Sequence, residues 1–224
     1  MTDPQRINAD FDQRVVIATP EEPWVASPQP GVERKMLDRV GGEIARATSL
    51  VRYAPGSSFS EHLHGGGEEF LVLEGVFSDQ RGDYPAGTYV RNPPGSRHRP
   101  FSRGGCTLFV KLHQFHPADL QRVVIDTTTS TWSTVSEAGL SRVVLHAHRG
   151  EKVALVRFAP GAGVPNDPHP GGEEIYVLEG VLSDEGGDYP AGTWVREPAG
   201  SAHGPFSREG CVIYVKEGHL PPPV

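Results

Sequence analysis

Apolar residues along the chain come in short runs and show no helical spacing. The stretches FLVLEGVF (70–77), TYVR (88–91) and TLFVKL (107–112) are rich in β-branched and aromatic side chains. Such side chains favour strands because they pack well on a pleated, half-buried surface. Glycine and proline punctuate the runs at close intervals, in APGS, HGGGE, QRGDYPAGT, NPPGS and SRGGC. Asp83-Tyr84-Pro85-Ala86-Gly87 suits a turn, with proline presetting one central residue and glycine supplying positive φ. No window has the period of an amphipathic helix. The pattern predicts an all-β protein, a sandwich or a closed barrel, and a barrel or jelly roll also hides its strand edges.

The pattern occurs twice. Val51–Lys111 and Val156–Lys216 align without a gap and share 38 of 61 residues. GGEEFLVLEGVFSD in the first copy answers GGEEIYVLEGVLSD in the second, and GDYPAGTYVR answers GDYPAGTWVR. Upstream, ADFDQRVVIATPEEPW (9–24) echoes ADLQRVVIDTTTSTW (118–132). A repeat that covers nearly the whole chain predicts two units of one design. The junction falls near Gln114–Pro117, so the expected domains are 1–115 and 116–224, and 224 residues suffice for two small cores.

Charge and composition narrow the function. The net charge is −7 with no basic cluster, which argues against a nucleic-acid partner because phosphates need a positive face. Residues 1–12 are polar and acidic, and no apolar run approaches a bilayer span. The expectation is a cytoplasmic protein without a signal peptide or membrane segment. Cys106 and Cys211 occupy equivalent places in the two copies. They are expected to be buried free thiols, one per unit, rather than a disulfide.

Copy one carries a candidate metal site. Gly56 is followed after five residues by His62, then His64, Glu68 and Gly75, and further on Gly87, Pro93, Gly95 and His98 follow at fixed intervals. Residues two apart on a strand share a face, so His62 and His64 project together. Gly65-Gly66-Gly67 lets the chain reverse so that Glu68 faces the same interior, and the Pro93–Gly95 turn delivers His98. Three imidazoles and a carboxylate suit Zn, Fe, Mn, Ni or Cu rather than Ca or Mg. A divalent ion on this set would keep a residual positive charge able to polarise water, O2 or a substrate oxygen. Phe70 shares the parity of Glu68 and reads as core first, cavity wall second.

This spacing resembles the cupin superfamily, and within it the GGEEFLVLEGVFSD–GDYPAGTYVRNPPGS–His run resembles the cupin domain of ChrR-type zinc-dependent anti-sigma factors. The resemblance implies two tandem cupin jelly-roll barrels (a bicupin), with the metal on His62, His64, Glu68 and His98. It implies a divalent transition metal, zinc first with iron, manganese and nickel as alternatives. It further implies a regulatory or sensing role in an oxidative-stress-linked sigma-factor response, with a sigma factor or other protein as partner and pairing into homodimers. The family's sigma-binding domain uses histidine and cysteine ligands, whereas here the first histidine is His62, the first cysteine is Cys106, and residues 1–50 read as strands. Related cupins give two alternatives. One is an Fe(II)-dependent dioxygenase that cleaves a C–C bond in a diketone or hydroxyacetophenone. The other is a non-catalytic bicupin that holds a small ligand in its barrel.

Copy two departs at one position. Its equivalent set is Asp167, His169, Glu173 and His203, with aspartate in place of the first histidine and Pro165, Pro168 and Pro170 around it. It is either a variant metal site or a degenerate barrel in which Glu173 and His203 hold each other. His146 and His148 repeat the i, i+2 spacing without the glutamate and glycine frame, and His113 and His116 lie at the junction; all four are expected to be structural.

Overall fold

A computed structural model describes residues 5–136 and 139–221. The described residues form strands and turns, and their helical content is one 3₁₀ turn at Thr19–Glu21. None is long or apolar enough to cross a membrane as a helix. The all-β expectation holds, and the tandem repeat appears as two antiparallel barrels of the same strand order.

In the first unit the main sheet runs Gln5–Ile7, Val32–Gly41, Ala45–Tyr53, Cys106–Leu112, Glu68–Asp79, Thr88–Asn92 and Val123–Asp126. Short pairs build the opposing layer: His62–Leu63 with Arg97–His98, and Ser57–Ser58 with Phe101–Ser102. Glu68–Asp79 belongs to both layers. Its first half pairs with Thr88–Asn92 and Cys106–Leu112, and its second half pairs with Gly82–Pro85. The crossing needs a bend, and Gly75 supplies it with φ of 71°. A Cβ at Gly75 would lie 2.1 Å from the Gly105 carbonyl oxygen, so only glycine fits. Gly180 does the same in the second unit, where a Cβ would lie 2.2 Å from the Gly210 oxygen.

The second unit repeats this order with Ser133–Ser136, Leu140–His148, Glu151–Phe158, Cys211–Glu217, Glu173–Asp184, Thr193–Glu197 and Val15–Ala18. Each barrel interior is filled from both layers. Val32, Phe70, Val72, Phe77, Val90 and Leu108 are core residues of the first unit; Ile175, Val177, Leu182, Val195, Ile213 and Val215 are core residues of the second. Cys106 and Cys211 are buried and free, one in each core.

The compact units are not the contiguous halves 1–115 and 116–224. One comprises 1–9 and 23–129, the other 10–22 and 130–224. The two upstream echoes have changed places. Val15–Ala18 pairs with Thr193–Glu197, and Val123–Asp126 pairs with Thr88–Asn92. Each echo fills the same edge position, but in the barrel of the other copy.

Candidate metal centre

His62 and His64 flank Leu63, which points outward and is 59% exposed. The alternation of a strand therefore sends both imidazoles inward. His98 lies directly opposite His62 in the register of the short ladder. Glu68 opens the long strand, between Asn92 on one neighbour and Leu112 on the other. One ligand atom from each of the four lies within 4.8 Å of all the others. The ring centroids are 5.0 Å apart for His62–His64, 4.9 Å for His62–His98 and 4.6 Å for His64–His98. Glu68 Oε2 lies 3.4 Å from His64 Nε2 and 3.5 Å from His98 Nε2.

The surroundings fix which nitrogen faces the centre. His62 Nδ1 is 3.0 Å from the Ser60 carbonyl oxygen, which can only accept, so that nitrogen carries the hydrogen. Ser96 Oγ donates its one hydrogen to the Pro93 carbonyl, so its contact with His64 Nδ1 at 3.1 Å must receive the imidazole hydrogen. Both rings thus turn a bare Nε2 inward. His98 Nδ1 lies 3.4 Å from Asp79 Oδ2, and Asn92 Nδ2 donates to Glu68 Oε2 at 3.1 Å. His62, His64 and Glu68 are thus each hydrogen-bonded by a neighbour, the usual way a metal-binding side chain is oriented, whereas His98 has Asp79 within ion-pair distance but no hydrogen bond on Nδ1.

Burial lowers the pKa of His64 to about 4, with the nearby His62, Arg81 and His113 adding to the effect. Burial likewise lowers that of His98, against the pull of Glu68. Both rings are therefore neutral at physiological pH, the state that ligates. His64 Nε2 and His98 Nε2 are buried with no hydrogen-bond partner. Buried polar atoms without partners are rare because leaving them bare costs free energy. Bare lone pairs facing one point beside a carboxylate fit a divalent transition metal.

A cavity of about 280 Å³ in the first unit opens on His62, His64 and Glu68. Its walls are mostly apolar and include Val51, Tyr53, Phe59, Phe77, Leu108 and Val110, with Arg34, Glu43 and Ile44 also on its lining. Phe70 is in the core cluster and not on the cavity lining. The aromatic wall comes instead from Tyr53, Phe59 and Phe77, which no ligand spacing marks.

In the second unit, Asp167, His169 and His203 bring ligand atoms within 4.8 Å of one another. Glu173 Oε2 is 3.5 Å from both His169 Nε2 and His203 Nε2, and these three atoms are also buried without hydrogen-bond partners. The charge differs from the first unit. His203 Nδ1 is 3.0 Å from Asp184 Oδ2 and 4.0 Å from Glu197 Oε1, where the first unit has Asn92. Burial would lower the His203 pKa, but Glu173, Asp184 and Glu197 together raise it to about 9. Arg14, on the exchanged segment, binds Asp184 at 2.8 Å and Glu197 at 2.5 Å and so neutralises part of this cluster.

Asp79, Asp184 and Ser96 were not singled out by spacing. A signal for all three was present, because the copies agree at Asp79 and Asp184 and at Ser96 and Ser201 although the next residues, Gln80 and Arg97, become Glu185 and Ala202. His146 and His148 lie outside both ligand groups, as do His113 and His116, although His113 reaches the cavity lining.

The sequence profile of the ChrR cupin-like domain matches residues 12–116 and again 120–221. No curated protein matches the chain. Among solved structures, the chain is similar to a candidate dioxygenase from Nostoc punctiforme, at 14% identity and TM-score 0.76, covering 93% of this chain and 84% of that one. It is similar to a candidate glyoxylate-induced protein from Pseudomonas aeruginosa, at 17% identity and TM-score 0.75, covering 97% and 91%. It is also similar to a bacterial pirin from Escherichia coli in complex with nickel(II), at 13% identity and TM-score 0.66, covering 94% and 100%. At these identities the likeness is one of fold.

Proposed function

The chain belongs to the ChrR cupin-like domain family, and from that premise we propose that its first barrel is a metal-dependent oxygenase site for a small, largely apolar molecule. The observation that carries this reading is the apolar cavity opening directly on His62, His64 and Glu68. A closed structural site needs no such space, whereas a catalytic metal keeps an open position. Bound there, Fe(II) would supply the oxygen chemistry of a dioxygenase. His62, His64, Glu68 and His98 would hold the ion, with Ser60, Ser96 and Asn92 hydrogen-bonded to the first three and Asp79 3.4 Å behind His98. Tyr53, Phe59 and Phe77 exclude water and seat the substrate body. A 1,3-diketone or a hydroxyacetophenone, small and with two neighbouring oxygens, would probe that oxygen chemistry.

The test is oxygen uptake by iron-loaded protein with acetylacetone or 2-hydroxyacetophenone. Uptake that disappears in His64→Ala is expected. Uptake that persists in His64→Ala, or none with any diketone tried, contradicts the reading.

The family match itself favours a second reading, a regulator that responds to oxidants with zinc on the same four ligands and a sigma factor as partner. Co-purification with a sigma factor of the host, lost on peroxide treatment, supports it. Failure to retain any sigma factor removes it.

A further inference from the structure

The mouth of the first-unit cavity differs from its walls. Among its described lining residues there is a single arginine, Arg34, and no lysine. The Arg34 side chain is 18% exposed, so it lies largely inside. Its partner is Glu43, with Nη1–Oε2 at 3.4 Å and Nη2–Oε1 at 3.5 Å. Tight charge-assisted contacts run at about 2.7–2.9 Å, so this fork is loose. Glu43 is 67% exposed and follows Gly41-Gly42 in the hairpin turn. Released, it would be solvated at little cost, and Arg34 would then face the cavity.

The turn is an addition to the first barrel. The path from Val32 to its partner Tyr53 is three residues longer than the path from Leu140 to its partner Phe158. Glu43 and Ile44 reach the cavity on that extra length. Arg39 anchors the turn by donating to the Gly42 carbonyl. Burial first, and then Arg34, press the Arg39 pKa down despite Glu43. Arg39 thus lies near enough to feel the charges of both Arg34 and Glu43, although only Arg34 contacts the carboxylate, and a second guanidinium beside the pair favours a further anion.

We propose that the cavity takes a small apolar acid, its carboxylate pairing with Arg34 in place of Glu43 and its apolar body lying against Tyr53, Phe59 and Leu108. This rests on the reading of the cavity as a substrate site and names the class of substrate. The bidentate fork of arginine matches a carboxylate. Arg34 is the one arginine or lysine among the described lining residues, and an unpaired carboxylate would not enter an apolar space.

Calorimetry on the metal-loaded full chain tests it, with 3-phenylpropionate against its neutral isostere 3-phenylpropanamide, and with metal content measured on the same samples. The acid is expected to bind more tightly than the amide. Arg34→Gln should weaken the acid about 10–100-fold and leave the amide within about twofold, as for loss of one charged hydrogen-bonded partner. Arg34→Lys should restore part of the difference, and Glu43→Gln should tighten the acid by removing its competitor. Equal binding of acid and amide, no binding of the acid, or an acid preference that survives Arg34→Gln overturns the proposal; the last outcome would send the carboxylate to the metal instead. A chain that holds no metal yet keeps the Arg34-dependent preference would sink the oxygenase reading and spare this one.

Discussion

The function of the tetrad depends on which nitrogen of each imidazole is bare, and for His62 and His64 single hydrogen bonds decide that. Ser60 and Ser96 take the Nδ1 hydrogens of His62 and His64. Asp79 stands 3.4 Å behind His98. Asp79→Asn keeps an acceptor there and removes the charge. It is expected to lower metal affinity at the first site about 10-fold or more, the range for partners that orient a ligand; chelator competition would measure it, and an unchanged affinity would separate Asp79 from the site. The convergence of His62, His64, Glu68 and His98 was legible in the sequence because period-2 geometry and glycine spacing act along one chain segment. Asp79 was not, because its role arises only when the far end of the Glu68–Asp79 strand folds beneath His98. Phe70 shows the same limit. Parity placed it inside, as found, but strand parity cannot say which part of an interior becomes cavity and which becomes core.

At the scale of elements, one long strand serves both layers by bending at Gly75. Gly75→Ala forces a Cβ against the Gly105 carbonyl at positive φ. The left-handed backbone alone costs an ordinary residue about 1–2 kcal/mol, and the clash adds to it. A loss of at least about 2 kcal/mol in chemical denaturation is expected, with Gly180→Ala equivalent in the second barrel. A Gly75→Ala protein as stable as the parent would show that the bend is not needed. The strands themselves were legible from β-branched runs and turn residues. Their exchange was not. Gln13–Ile17 and Gln121–Ile125 carry the same QRVVI sequence, so either could complete either barrel, and local pattern contains nothing to choose between them.

At the scale of the molecule, one duplicated design yields two sites of different charge. His64 and His98 are neutral at pH 7.5, but His203, raised to about 9 by its three carboxylates against burial, carries a proton. A metal ion entering the second cluster would have to expel that proton, whereas one entering the first would not. Calorimetry in buffers of different ionisation enthalpy should find about one proton released per ion in His64→Ala, where the second site remains, and none in His169→Ala. Equal release from both variants would contradict the assignment. Stability of the metal-free chain follows opposite signs. As pH falls from about 6.5 toward 4, the unfolded chain takes up a proton that buried His64 refuses, so the first unit loses stability. The His203 proton is held more tightly in the fold than out of it, so its contribution is full below about 6.5 and is lost as pH rises through about 9.

Anomalous scattering from crystals of metal-loaded protein, recorded across the absorption edge of the ion supplied, tests the convergence of the first tetrad most directly. The expected result is one strong peak inside the first barrel, about 2.0–2.2 Å from the inward nitrogens of His62, His64 and His98 and from a Glu68 oxygen. A first barrel without a peak, or a peak that one of these four side chains does not touch, would contradict the account.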